Sequence, residues 1–121
     1  MGKPAPDATS MTIGLQNFIT PTTVFDLDLK NSQLTKRCQV HDVLVDTSHV
    51  KTEHLKIPST DGSLVPATVH YNSKVLKDLS SKPEAPLPTL ISFYAGFGVS
   101  DSDMFDPAHL AIVNNIQGIW V

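Results

Sequence analysis

The chain has 121 residues, 40% of them apolar and 17% charged, and a formal charge of −3 at pH 7. That composition suits a globular chain with one modest core and excludes wholesale disorder. Its basic residues are scattered, with Lys36 and Arg37 the only adjacent pair, so no electrostatic footprint for nucleic acid is present.

The single cysteine, Cys38, has no intrachain partner for a disulfide. The N-terminus lacks the charged start and apolar run of a secretory signal, so a reducing, cytoplasmic setting is expected. No stretch approaches the roughly 20 apolar residues that span a bilayer. In "MGKPAP", Pro6 stands where a myristoylation signal wants Ser or Thr, and no membrane partner is expected.

Taken in order, residues 1–10 combine two prolines with small and polar residues and read as a flexible tail. Residues 11–19 and the alternating "TTVFDLDL" predict two strands, the second with one wet face, separated by a break at "TP". After the polar turn "KNSQ", residues 34–37 and 39–45 can carry further short strands. "HVKTEHLKIPS", the Asp-Gly turn of "TDGS" and "LVPATVHY" predict a β-hairpin, with Pro66 at an edge or unpaired position because it lacks a backbone donor. "NSKVLKDLSSKPEAPLP" reads as a surface connection holding one helical turn around 75–79, kept extended afterwards by Pro83, Pro86 and Pro88. The unbroken apolar run "TLISFY" predicts a strand covered on both faces, the central kind found in a layered α/β domain. Asp106 before Pro107, followed by Leu110, Ala111 and Val113, predicts a capped helix over 107–116. "GIWV" reads as the start of another apolar strand, and a stop there suggests an incomplete domain.

Serine chemistry in an α/β hydrolase announces itself as G-x-S-x-G, which is absent. Ser92, Ser100 and Ser102 flank the glycine loop without the elbow spacing and read as surface hydroxyls. The five histidines, 41, 49, 54, 70 and 109, show no metal-ligand spacing, and strand surface positions account for most of them. Asp101, Asp103 and Asp106 resemble half a calcium loop without its glycine or closing glutamate, so capping by Asp106 and solvation of the other two is the expectation. Neither a metal nor another cofactor is expected. Cys38, beside Arg37, reads as an inert strand thiol. Tyr94 stands before Ala95 and Gly96, where small residues let a ligand approach, so its phenol can donate to a developing oxyanion. A half-buried ring with a wet hydroxyl is the commoner reading of such a tyrosine, and the residue pattern alone leaves both open.

Three motifs in order carry a resemblance. "FITPTTVFDLDLKNSQL" at 18–34 is similar to the closing propeller strands of the prolyl oligopeptidases, which are serine peptidases of the α/β hydrolase class. "IPSTDGSLVPATVHY" at 57–71, with Pro58, Asp61, Gly62 and Pro66, resembles the first hairpin of their hydrolase domain. "LISFYAGFG" at 90–98 looks like the family's Tyr-Gly-Tyr-Gly-Gly-Phe strand and loop, with Phe93 and Ala95 where the family usually has glycine. The resemblance runs over about residues 11–121.

It implies a mostly β chain, part of an α/β fold: the last strands of a β-propeller over 11–46, then the start of an α/β hydrolase domain over 47–121. It also places Tyr94 at the tyrosine that forms half of the family's oxyanion hole, with the Ser/Asp/His triad downstream. The expectation is a segment of a peptidase that cleaves short peptides after proline, inactive alone, its proline-containing substrate bound only by the complete enzyme. The alternative is a non-catalytic remnant that binds a partner, or itself, through open strand edges.

Overall fold

The computed structural model of the chain describes residues 5–40, 45–94, 96–99 and 102–121. Part of the expected tail, most of the expected strand over 39–45, and His41, Ala95, Ser100 and Asp101 lie outside the described residues.

Three antiparallel strands, β1 (Ser10–Asn17), β2 (Thr20–Asp28) and β3 (Leu34–Gln39), form the first sheet in the order β1-β2-β3. The "TP" pair is not a break. Thr20 and Pro21 open β2 with Pro21 buried, and the chain turns instead at Phe18 and Ile19. The cause is Asn17, whose Oδ1 accepts from the backbone N–H groups of Ile19 at 3.1 Å and Thr20 at 2.8 Å, an Asx turn that closes the hairpin. Across this sheet Asp26 on the middle strand accepts from Thr12 Oγ1 at 2.9 Å and from Arg37 Nε at 2.8 Å, tying all three strands together.

The second sheet runs β4-β5-β7-β6, from β4 (Val50–Pro58), β5 (Leu64–Asn72), β7 (Ile119–Trp120) and β6 (Thr89–Leu90). β4 and β5 form the expected hairpin, in register from Val50 opposite Asn72 to Pro58 opposite Leu64. Its turn uses Gly62 at φ +85°, a left-handed conformation that glycine adopts without a steric penalty. Pro66 stands opposite Lys56, on the half of β5 that β7 does not reach, since β7 meets β5 at His70 alone. β6 and β7 run parallel and are joined through α1 (Pro107–Asn114), a βαβ unit.

Alternation along β5 sorts the core. Val69 and Tyr71 point to one face with Leu76, Leu79, Leu87, Ile119 and Val121. His70 stands on the other, where Phe18, Leu110 and Val113 pack with Ile19, Val50, Phe105 and Trp120. The turn of the first sheet therefore inserts Phe18 between its own hairpin and helix α1. The segment after Asn72 is more than a surface connection, because Leu76 is buried. Its turn comes slightly earlier than expected, with Val75 and Leu76 N–H both donating to the Asn72 carbonyl at 3.0 Å.

Helix α1 forms where expected. Asp106 Oδ1 accepts from Ala108 N–H at 2.7 Å, Pro107 occupies the first turn, and Leu110 and Val113 are buried. It ends at Asn114, short of 116, because Gln117 turns to φ 56° and Gly118 N–H folds back to the Ile112 carbonyl at 2.9 Å.

The doubly covered strand at "TLISFY" is corrected. Only Thr89–Leu90 forms β6, and every residue from Thr89 to Tyr94 is exposed, Phe93 at 83%. Helix α1 packs mainly on β5 and β7, and the outer edge of β6 is unpaired among the described residues.

Candidate functional site

Beyond β6 the chain stays paired to the last strand. Val121 N–H donates to Leu90 at 2.9 Å and Ser92 N–H to Val121 at 2.7 Å, so the strand that leads to Tyr94 is fixed at its base. Tyr94 then leans over the following glycine. A Cβ added at Gly96 would stand 3.7 Å from the Tyr94 hydroxyl oxygen and 3.8 Å from Cε1 and Cζ. The ring is 55% exposed, and among the described residues its hydroxyl forms no hydrogen bond, so its proton is free for an incoming oxygen. Sequence reasoning placed Tyr94 at the end of a buried strand; the structure places it in an exposed segment four residues beyond β6.

Gly96 to Val99 form a tight turn closed by Val99 N–H on the Gly96 carbonyl at 3.0 Å. Its two central residues, Phe97 at φ 54° and Gly98 at φ 66°, both lie in the left-handed region, as in a type I′ turn. Phenylalanine is an unusual occupant of that region, and its ring is 97% exposed.

A buried histidine on β5 meets two exposed polar side chains. His70 is 1% exposed, its Nδ1 lies 2.9 Å from Thr52 Oγ1, and its Nε2 lies 3.3 Å from Asp103 Oδ1. Its ring stacks on Phe18 with centroids 3.7 Å apart and planes 8° from parallel. Burial pulls the His70 pKa below its usual range, while the Asp103 hydrogen bond and charge pull it back part of the way. His70 is thereby an exception to the strand-surface positions expected for most of the histidines, while Asp103 is exposed, as expected, and also lies within hydrogen-bond distance of His70. The signal for His70 lay in "VHYN", four residues without a fixed charge on a strand that is covered on both faces.

On the opposite face the Tyr71 hydroxyl donates to Glu53 Oε1. Burial, then the hydrogen bond and charge of Glu53, push the Tyr71 pKa up to about 12. Its role is structural.

The remaining candidates are dispersed. His49 lies within 3.2 Å of Asp46 and Lys74, His54 within 3.2 Å of Thr68, and His109 stacks on Trp120 with centroids 3.7 Å apart. Ser92 and Ser102 are exposed and Cys38 is an exposed free thiol. Among the described residues no three His, Cys, Asp or Glu side chains gather as a metal would require, and no helix is long and apolar enough to cross a membrane.

No family model matches the sequence, and no curated protein matches it. Solved structures do. A prolyl endopeptidase superimposes with a TM-score of 0.82 at 21% identity, over 98% of this chain and 16% of its own. Oligopeptidase B from Leishmania major gives 0.76 at 21% identity, over 94% of this chain and 15% of its own. A post-proline cleaving enzyme from Rickettsia typhi gives 0.68 at 24%, over 93% and 15%. The chain thus has the fold of a short segment of the prolyl oligopeptidases, in agreement with its sequence resemblance, and spans 15–16% of the length of these solved chains.

Proposed function

We propose that these residues are part of a prolyl oligopeptidase-like serine peptidase, with 11–46 as closing propeller strands, 47–121 as the start of the hydrolase domain, and Tyr94 as an oxyanion donor. What carries the reading is a fold shared with a prolyl endopeptidase over 98% of the chain. The sequence holds no G-x-S-x-G, so the triad of the proposed enzyme comes from residues outside these 121, and this chain alone hydrolyses nothing. In the complete enzyme the serine oxygen attacks the carbonyl carbon of the prolyl residue, its proton passes to the triad histidine, and the π electrons of the C=O bond move onto the carbonyl oxygen. The Tyr94 O–H donates a hydrogen bond to that oxygen, together with the backbone N–H that follows the serine. An unpaired phenol leaning over a glycine suits this task, since no internal bond must break before it can donate.

Removal of one such donor costs about 100- to 1000-fold in turnover. Tyr94→Phe in the intact protein, assayed on a short proline-containing peptide, is expected to lose turnover on that scale with little change in KM. Unchanged turnover would overturn the role of Tyr94.

The open edges favour a second reading, a non-catalytic chain that pairs with a partner or with itself. β3 is exposed from Leu34 to Cys38, and β6 leaves Leu90, Ile91 and Phe93 exposed beside a free edge. Absence of peptidase activity in the intact protein together with concentration-dependent self-association in sedimentation would favour it over the enzyme.

A further inference from the structure

We propose that Phe18 and His70 form an acid-released latch between the two sheets, in which a proton taken up by the enclosed imidazole drives the Phe18 ring out and frees the first sheet from the second. The inference goes beyond the peptidase reading and does not depend on it.

The first sheet brings the plug. Asn17 closes the β1–β2 hairpin so that Phe18 stands at its tip, and among the described residues no strand of one sheet pairs with a strand of the other. Phe18 is 3% exposed and packs with Leu110 and Val113 of α1, while its ring covers one face of the His70 imidazole at 3.7 Å between centroids. The second sheet supplies the socket. In the neutral ring Nε2–H points at the Asp103 carboxylate, 3.3 Å away, and Nδ1 accepts from the Thr52 hydroxyl at 2.9 Å. A second proton adds an N–H at Nδ1, so Thr52 must turn from donor to acceptor, and it places a charge on a ring that is 1% exposed. Asp103, on the segment before α1, and the face of Phe18 favour that charge. Enclosure opposes it, and so does positive charge on His54 of β4 and His109 of α1. Glu53, the carboxylate of β4, is turned to the opposite face with Tyr71, Asp106 lies 3.7 Å from His109, and Trp120 of β7 is uncharged. The balance lies with the neutral ring, whose pKa is held below 6.5. Water reaches the covered face of the imidazole only when Phe18 leaves, so hydration of a charged ring competes with seating of the plug. The latch is therefore at full strength above 6.5 and weakens as pH falls through the lower folded-state value.

The test follows the intact protein between about pH 7.5 and 5 by hydroxyl-radical labelling, read residue by residue in a mass spectrometer. Labelling of Phe18 should rise about fivefold or more on acidification, a coupling of ordinary size between two linked events. Tyr71, 1% exposed on the other face of β5, should stay protected, which separates release of the latch from global unfolding. In His70→Gln, which has no proton to gain in this range, the rise at Phe18 should vanish. Linkage demands the reverse effect as well. With the plug cut back in Phe18→Ala, or in Phe18→Leu if the first does not fold, exchange of the imidazole C2 hydrogen should titrate closer to 6.5 at His70 than in the parent protein. A Phe18 signal that stays flat, that survives in His70→Gln, or that rises only in step with Tyr71 would overturn the latch. An unmoved His70 titration in the Phe18 variants would do the same. None of these readings uses turnover, so the peptidase reading stands or falls separately, on Tyr94→Phe.

Discussion

The imidazole of His70 lies flat on the ring of Phe18, 3.7 Å between centroids, and this stack joins the turn of the first sheet to β5, an inner strand of the second. Both rings are buried, so the junction favours a neutral imidazole.

A pH dependence follows. The pKa of His70 falls from its ordinary value of 6.5 on folding. Its contribution to stability is therefore complete above about 6.5, declines as pH falls through the folded-state value, and changes no further below it. Asp103 on the adjoining segment opposes the shift, while His54 on β4 and His109 on α1 reinforce it. The melting temperature of the intact protein should drop on acidification from pH 7.5 to about 5, more steeply than that of His70→Gln. Identical slopes would remove His70 from the account.

Tyr71 sets the alkaline side. Its pKa is raised from 10.0 to about 12, so the folded state holds a proton that the unfolded chain gives up. The stability it contributes is complete below pH 10 and is lost as pH rises toward 12. The difference in tyrosinate absorbance between the protein and Tyr71→Phe should appear only above pH 11. Tyr71→Phe should also cost about 1 kcal/mol at neutral pH, the net worth of one hydrogen bond, measured by denaturant unfolding.

Asp106 begins the helix by accepting from Ala108 N–H at 2.7 Å. Asp106→Ala should destabilise the protein by about 1 kcal/mol. Asp106→Asn, which keeps the accepting oxygen, should recover most of that in the same unfolding experiment.

Gly118 passes close under the strand connection. A Cβ there would stand 2.8 Å from the Pro88 carbonyl oxygen and 3.2 Å from Ile112 Cγ2. The first of these is backbone that also accepts from Ile119 N–H at 2.8 Å, so it cannot yield without loosening the β6–β7 pairing. Gly118→Ala should cost about 1–3 kcal/mol as an overpacking change. A neutral result would show that the Pro88 segment moves freely.

Much of this arrangement is legible in the sequence, because it is written in local chemistry. The Asp-Gly turn places the β4–β5 hairpin, and Asp106 with Pro107 places the helix start to the residue. The Asx turn at Asn17 is just as local, yet the following Thr20-Pro21 pair reads more strongly as a break. What local chemistry does not carry is which surface meets which. "TLISFY" has the composition of a central strand, but burial depends on neighbours far along the chain, and the strand is bare here. His70 is the converse case, a residue type at home on surfaces that is enclosed by Phe18, Thr52 and Asp103 from three separate segments. Tyr94 is singled out by its place before Ala95 and Gly96; the exposure of its ring comes from the fold.

The order β4-β5-β7-β6 has a consequence for synthesis. Strand β7 is made after β5 and β6 and fills the place between them. While the ribosome is still producing helix α1, β5 and β6 have no shared partner, and the apolar stretch from Leu90 to Phe93 is held by no backbone pairing to β7. The sheet can close only after Ile119 and Trp120 leave the exit tunnel, so β6 passes through a period as an unprotected strand during which a chaperone or a neighbouring nascent chain competes for it.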